Sequence, residues 1–357
     1  MNTEFISALE QIQKDKGISK EILIDTIEAA LISSYKRNFG TSQNVKVEIN
    51  QDTGDINVYS QKRVVEEVED DLLEISLEDA KAINPNYELE DMVENEVTPR
   101  NFGRIAAQTA KQVVVQRIRE AERMVIFEEF VNRESEIITG KVARISKGTV
   151  FVNIGKVEAI LPQGEQMSSD KYNHGDRIKT YITEVKNTTK GPQIAISRTH
   201  PGLIKRLFEL EVPEIHEGTV EIKSISREPG SRTKIAVETK NENVDAVGAC
   251  VGAQGNRVQS IVDELRGEKI DIIEYSQDPA LFISNALKPA KVIAVKIDEA
   301  SKAARVIVPD YQLSLAIGKE GQNARLAAKL TAWKIDIKSE SQVVSEVNLP
   351  DEEESTT

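Results

Sequence analysis

Two four-residue segments that begin and end with glycine are the residues whose spacing most suggests chemistry. They are Gly252-Ala253-Gln254-Gly255 and Gly318-Lys319-Glu320-Gly321. Glycine has no β-carbon, so such a segment lets the main chain come close to another backbone. If a helix follows, the amide groups at its N-terminus can donate hydrogen bonds to a phosphate. The pattern therefore indicates a clamp for a sugar-phosphate backbone, whereas the alternative is an ordinary turn between two helices.

The context of the two segments favours the clamp, because both occur at the same place in an internal repeat. Each is followed by an amphipathic pattern and then by Lys-Ile-Asp-Ile, at residues 269–272 and 334–337. A helix and two alternating strands precede each segment. The order helix, strand, strand, helix, loop, helix, strand predicts two tandem type II KH domains, residues 201–278 and 279–343. Each would hold about four unpaired nucleotides.

The side chains beside the glycines are candidate RNA contacts. In the first repeat Arg257 follows the loop, and in the second Gln322, Asn323 and Arg325 follow it. Lys319 gives the second loop a charge that Ala253 and Gln254 do not supply, so we expect its RNA binding to depend more strongly on salt. Glu320 would repel phosphate unless it points to solvent.

Residues 135–200 change to short strands separated by glycine turns, which predicts a five-stranded barrel of the OB type. Phe151 lies in the middle of one strand and is either a platform for stacking a base or an inward core residue; periodicity alone leaves both open. Basic residues of this segment could line a groove for the RNA backbone: Arg144, Lys147, His174, Lys190 and Arg198.

The first 131 residues combine helices with a hairpin and predict an α/β domain. Two helices end at Gly17 and Gly40, a hairpin covers residues 45–59, and a long helix runs from about 102 to 130. Its apolar side extends to Val125, and Arg104, Lys111 and Arg119 lie on the opposite side. Those three cations form either a solvated face or a contact with a partner or RNA.

The composition excludes several classes of function. Cys250 is the single cysteine among 357 residues and there are three histidines, so we expect no disulfide, no metal site and no cofactor. Phosphate-loop and zinc-protease motifs are missing, and we expect no enzymatic activity. The acidic segment 66–71 is interpreted as a solvated loop, with a magnesium-dependent nuclease site as the alternative. No apolar stretch is long enough to span a membrane, so the expected location is the cytoplasm.

The net charge of −13 conceals local differences in sign. Residues 1–131 carry 15 basic against 26 acidic side chains, whereas residues 132–200 carry 11 against 7 and residues 279–343 carry 10 against 6. Because charges are screened beyond about 8 Å at physiological salt, local basic surfaces can bind RNA on an acidic chain. The tail, residues 344–357, is acidic and polar and is predicted to be disordered.

Several longer segments resemble the NusA family of bacterial transcription elongation, termination and antitermination factors. The most specific are residues 197–201, 207–215, 227–237, 247–252 and 316–327, and the resemblance covers about residues 1–343. It implies an α+β multidomain chain: an N-terminal domain over 1–131 that binds RNA polymerase, an S1-type OB barrel and two KH domains.

The resemblance also implies partners. The N-terminal domain would dock on core polymerase near the β flap, with contacts expected at Arg104, Lys111 and Arg119, while the other domains hold nascent single-stranded RNA. Other Nus factors would join in antitermination, and the chain is expected to be a monomer. A competing interpretation is an RNA-binding module of the decay or translation machinery, where S1 and KH domains also occur.

Overall fold

The computed structural model describes residues 3–39 and 44–347. It divides into two compact units, one of residues 1–128 with 189–192, the other of residues 129–188 with 193–357. Each unit has its own apolar core.

The first unit packs three helices and most of a fourth with a four-stranded sheet. Two helices come first, as expected: α1 (Thr3–Lys16) and α2 (Lys20–Phe39); Gly40 lies outside the described residues. The remaining elements are β1 (Asn44–Ile49), β2 (Ile56–Val65), β3 (Glu74–Ser76), α3 (Leu77–Ile83), β4 (Met92–Glu96) and α4 (Phe102–Val131). The hairpin β1–β2 is antiparallel and pairs Val47 with Val58. Both valines are buried against α2 and α4, which explains the period of two in their strands.

Five strands close into the predicted barrel. They are β5 (Ile137–Ser146), β6 (Thr149–Asn153), β7 (Glu158–Leu161), β8 (Arg177–Thr188) and β9 (Gly191–Ser197), in the order β5-β6-β7-β9-β8. The turn between β5 and β6 has positive φ at Lys147 (49°) and Gly148 (79°), as a two-residue hairpin turn requires.

Both repeats adopt the predicted order of helices and strands. The first contains α5 (Pro201–Glu211), α6 (Pro213–His216), β10 (Val220–Glu228), β11 (Arg232–Thr239), α7 (Ala246–Val251), α8 (Asn256–Glu264) and β12 (Lys269–Glu274). The second contains α9 (Pro279–Ala286), β13 (Ala294–Asp298), β14 (Ala303–Val308), α10 (Leu313–Ile317), α11 (Gln322–Thr331) and β15 (Lys334–Ser339). In each sheet the middle strand is antiparallel to the first strand and parallel to the last.

A further helix, α12 (Glu340–Val347), follows the second repeat. The prediction of disorder from residue 344 is therefore wrong for residues 344–347, which continue this helix. Residues 348–357 of the predicted tail lie outside the described residues.

A buried ion pair within the first repeat also hydrogen-bonds to the barrel segment. Arg227 on β10 binds both carboxylate oxygens of Glu268 at 2.9 Å, and both side chains are buried. The other terminal nitrogen of Arg227 donates to the carbonyl of His200 at 2.9 Å, and Glu268 also accepts from the amide of Gly230 at 2.8 Å. Because each buried charge is paired and hydrogen-bonded, the junction tolerates a charge that would otherwise be costly.

Candidate nucleic-acid interface

The two glycine loops have the same backbone conformation. Gly252 has φ/ψ of 74°/174° and Gly318 has 78°/170°. Gln254 (53°/21°) matches Glu320 (55°/26°), and Gly255 (79°/12°) matches Gly321 (74°/14°). A turn that merely connected two helices would have no reason to keep these strained angles in both copies. The repetition therefore favours the clamp over the ordinary turn.

The two glycines of each loop serve different needs. A Cβ on Gly318 would lie 2.7 Å from the backbone nitrogen of Asn323, and one on Gly252 would lie 2.6 Å from the side chain of Asn256. The first glycine is thus required by packing against the next helix. At Gly255 a Cβ would meet nothing within 4 Å, so the second glycine is required by its positive φ. The space beside the first glycine is thus filled by the protein's own residues, whereas the space beside the second is open.

The loop tips are accessible. Ala253 and Gln254 are exposed, as are Lys319 and Glu320. Each loop leads directly into a helix, α8 or α11, whose first turn is capped by no side chain. An uncapped N-terminus next to an open loop suits an anion, because its dipole favours negative charge. Lys319 adds a full positive charge at the second loop alone.

The charged and polar residues that follow the loops mostly bind other parts of the protein. Arg257 donates to Glu214 at 2.9 Å and to the carbonyl of Ala249 at 2.6 Å. Arg325 and Gln322 both reach Glu228 in the first repeat, at 2.6 and 2.8 Å. Arg325 also donates to the carbonyl of Glu320 at 3.0 Å, so it braces the loop from behind. All three side chains are therefore engaged within the protein itself.

Asn323 was predicted as an RNA contact, and that prediction is wrong. Its side chain is 5% exposed and donates to the carbonyls of Leu287 and Ala316 at 3.1 and 3.0 Å. It closes the space beneath Gly318, and it has no path to a strand outside.

Arg198 was also predicted to line an RNA groove, and it does not. Its side chain is 1% exposed and lies between the barrel and the first repeat. It binds Asp170 at 2.8 and 3.2 Å, Glu264 at 3.1 Å, and the carbonyls of Lys179 and Glu264 at 2.8 and 3.0 Å. These contacts occupy all five guanidinium donors. Burial alone would lower the pKa of Arg198, but its hydrogen bond to Asp170 and the nearby carboxylates raise it overall, so the charge is kept.

Phe151 faces outward on the barrel. Its neighbours Val150 and Val152 are buried inside, and the alternation along β6 places Phe151 on the other face. This excludes the alternative that it is an inward core residue. Arg144 lies over the ring at 3.6 Å and is held there by Glu158 at 2.9 Å. The ring therefore already has a cation on one face, and a base would have to use the remaining surface or displace the guanidinium.

The other barrel candidates are exposed. Lys147 lies in the β5–β6 turn, Lys190 in the β8–β9 turn, and His174 has its Nδ1 2.7 Å from the carbonyl of Ala143. His174 borders a depression of about 1030 Å³.

Sequence reasoning missed two cations in that depression. Lys141 and Arg177 are exposed, oppose each other across β5 and β8, and line the depression with His174. The sequence did contain a signal for Lys141. It precedes the buried Val142 in β5, and because side chains alternate along a strand, Lys141 must lie outside the barrel.

The N-terminal candidates are exposed along α4. Arg104, Lys111 and Arg119 all lie on its solvent side. Val125 was expected on the buried side and is instead exposed, so the apolar stripe of α4 ends before it. Met124 and Val125 are both exposed, so the C-terminal part of α4 carries exposed apolar surface.

The acidic segment 66–71 forms a local turn. The amide of Leu72 donates to Asp70 at 2.8 Å, and the amide of Glu69 donates to Glu74 at 2.8 Å. Within residues 3–39 and 44–347, the structure brings together no group of three His, Cys, Asp or Glu side chains suited to a metal. In the same residues, no helix is both long and apolar enough to cross a bilayer.

An OB barrel followed by two glycine-loop repeats defines a modular RNA-binding protein of the S1 and KH class. Comparison with known families agrees with this assignment at every domain. The matches are the NusA N-terminal domain at residues 4–124, the S1 RNA binding domain at 132–197, the NusA-like first KH domain at 198–275 and the NusA-like second KH domain at 279–345.

Relatives match nearly the whole chain. The protein from Halalkalibacterium halodurans is 64% identical over 342 residues, covering 96% of this chain and 90% of its own length. That from Bacillus subtilis is 62% identical over 341 residues, covering 96% and 92%. That from Thermus thermophilus is 42% identical over 359 residues, covering 98% and 92%. All three are named transcription termination/antitermination protein NusA. The chain belongs to the NusA family.

A solved structure matches the N-terminal part. The solution structure of the NusA N-terminal domain from B. subtilis is 62% identical, covering 34% of this chain and 99% of that one, with a TM-score of 0.32.

Proposed function

We propose that this chain is a transcription elongation factor that binds RNA polymerase and nascent single-stranded RNA. It would thereby modulate pausing, intrinsic termination and antitermination. Its NusA relatives are named for termination and antitermination, and the S1 and KH domains are RNA-binding modules. The observation that carries the proposal is the pair of open glycine loops with matching backbone angles.

The proposed mechanism is physical rather than chemical. The N-terminal domain docks on core polymerase at the β flap, using the exposed cations of α4 at Arg104, Lys111 and Arg119. The S1 and KH domains then meet the transcript at a high effective concentration, because they are covalently tethered to the docked domain. Several individually weak RNA contacts can act together in this way. The proposed site of action is the cytoplasm, with a monomeric chain that joins other Nus factors in antitermination.

The RNA surface combines the two loops with the exposed barrel cations. The loops supply backbone and helix N-termini, and Lys319 supplies charge. On the barrel, Lys141, Arg177 and His174 form the basic depression. Electrostatic contacts of this kind make affinity fall with salt, by a slope of about 0.7 per phosphate neutralised on a single strand.

Transcription in vitro with purified bacterial polymerase tests both halves of the proposal. Lys319→Glu, and separately Ala253→Asp with Gln254→Asp, place negative charge at the exposed loop tips without disturbing the core. We expect both variants to bind polymerase normally and to lose RNA affinity and the effect on pausing. The matched control is Lys296→Glu, the same charge reversal at an exposed position of β13.

The polymerase half is tested by reversing the charges of Arg104, Lys111 and Arg119 together. This variant should bind free RNA as the unaltered chain does, and lose retention on core polymerase and the effect on pausing. Normal RNA affinity in the loop variants would contradict the RNA half. Normal polymerase retention in the α4 variant would contradict the polymerase half.

A further inference from the structure

Tyr311 is the most exposed aromatic side chain in the described part of the chain, at 77%. It lies in a one-turn 3₁₀ helix, Asp310–Gln312, which leads directly into α10 and then into the second loop. The other six tyrosines are buried or partly buried. Its side chain is about twice as exposed as that of Phe39, at 38%, so the fold does not require Tyr311 for packing.

Tyr311 has an apolar neighbour on the same helical face. Leu315 is four residues further on and is also exposed, whereas Leu313 and Ala316 point into the core of the repeat. Residues four apart lie one above the other on a helix. The apolar stripe of Tyr311 and Leu315 is followed by Gly318, which ends α10 with a non-helical φ/ψ of 78°/170°. Seven residues at the rise of a helix span about 10 Å, which is the length of chain between Tyr311 and the first residue of the clamp.

The first repeat differs at the corresponding positions. When the two loops are aligned, Asp245 corresponds to Tyr311 and Ala249 to Leu315. Asp245 caps α7 by accepting from the amide of Val247 at 3.1 Å, and its surroundings include Glu242 and Glu274. The first repeat therefore has a small, acidic surface where the second has an aromatic and apolar one, although both loops share the same backbone angles.

We infer that Tyr311 and Leu315 form a nucleobase subsite, on which an unpaired base of the strand held by the second loop stacks. The inference rests on the proposed RNA binding. The clamp and Lys319 hold the sugar-phosphate backbone at one end of the stripe, and about 10 Å lies within the span of the roughly four nucleotides of a KH site. The ring offers a face that any base can stack on, with purines stacking most strongly. On this inference the two KH domains differ in function: the first binds the RNA backbone, and the second also distinguishes the type of base.

The test measures the binding of the full chain to short single-stranded oligoribonucleotides, with 2-aminopurine substituted at each position in turn. In the unaltered chain, its fluorescence should be quenched strongly at one position. Tyr311→Leu should abolish that quenching and weaken binding about fivefold or more, while Tyr311→Phe should keep both. Because purines stack most strongly, the unaltered chain should bind oligoadenylate more tightly than oligouridylate. This difference should shrink in Tyr311→Leu, while the salt slope stays unchanged because no charge is removed.

Leu281→Ala is the matched control, since Leu281 is an exposed apolar residue of α9 in the same domain. It should leave affinity and quenching unaltered. Unchanged affinity and quenching in Tyr311→Leu would overturn the subsite. Unchanged RNA binding with weakened retention on polymerase would overturn it too, and would assign Tyr311 to a protein contact. If Tyr311→Leu has no effect while Lys319→Glu still loses RNA, the subsite fails alone; if Lys319→Glu also has no effect, the proposed function fails with it.

Discussion

Replacing Arg198 with methionine tests whether this arginine is a structural link rather than an RNA contact. Methionine keeps much of the volume and removes all five donors, which leaves Asp170 without its cation, while the Tyr172 hydroxyl still donates to it at 3.0 Å. The side chain of Asp170 is 4% exposed and cannot be rescued by solvent without opening the junction. Removing one partner of a buried ion pair costs about 3–5 kcal/mol. For a unit of this size 1 kcal/mol corresponds to roughly 2–4 °C, so the expected fall in Tm is about 6–20 °C.

Thermal unfolding followed by circular dichroism measures the change, and RNA binding is measured at a temperature where the variant is folded. The comparison variant is Arg305→Met, which removes a surface ion pair with Asp336 at 3.6 Å and should cost about 0–1 kcal/mol. Adding Asp170→Asn to Arg198→Met should restore part of the loss, because the stranded carboxylate is removed. A fall in Tm no larger than that of Arg305→Met, together with weaker RNA binding, would refute the structural role.

Three further predictions concern the KH domains. Burial opposes the ionisation of Asp271, but its hydrogen bond with Arg232 and a neighbouring lysine lower its pKa overall. Its contribution to stability is therefore present above its ordinary pKa of about 4 and is lost as the pH falls through the lowered value, so Asp271→Asn should flatten the loss of stability in acid. Gly318→Ala should lower the unfolding free energy more than Gly321→Ala, by about 1 kcal/mol or more, because only Gly318 combines a glycine-only conformation with a backbone clash. Glu228→Gln should release the guanidinium that Glu228 now binds; RNA titrations at several salt concentrations should show tighter binding and a slope steeper by up to about one.

Periodicity and repetition predicted most of the fold. The alternation in the strands predicted the five-stranded barrel and the hairpin of the first unit, and the duplicated Lys-Ile-Asp-Ile strands predicted two equivalent domains. The short elements β3, α3 and β4 were missed, because they are brief and lie in a charged stretch. Helix α12 was missed because the acidic and polar residues after Ser341 indicate a disordered tail. In the structure the chain instead continues directly from β15 into this helix.

The candidate site was harder to predict, because residue type alone does not reveal partners. Arg198 binds Asp170 and Glu264, which lie 28 and 66 residues away in the chain. Arg325 binds Glu228, 97 residues away. No local pattern indicates such pairs, so an arginine next to a glycine loop was predicted to contact RNA. Local patterns did predict the loops themselves, whose conformation is set by their own glycines.

Among the predicted RNA contacts, the arginines that bind within the protein differ in chemistry from the exposed lysines. The predicted RNA contacts that turned out to be internal cross-links are arginines at 198, 257 and 325, whereas the predicted lysines at 147, 190 and 319 are exposed. A guanidinium has five donors in a planar fork and suits carboxylates and backbone carbonyls inside a junction, while an ammonium is strongly hydrated and favours the surface. Arg198 and Arg325 thus link neighbouring domains and Arg257 braces the first repeat, which leaves the loop backbone, the lysines and the barrel depression as the proposed RNA surface. The proposed RNA surface, built mainly from main chain and a few exposed cations, needs little net positive charge, so a chain with a net charge of −13 can present it.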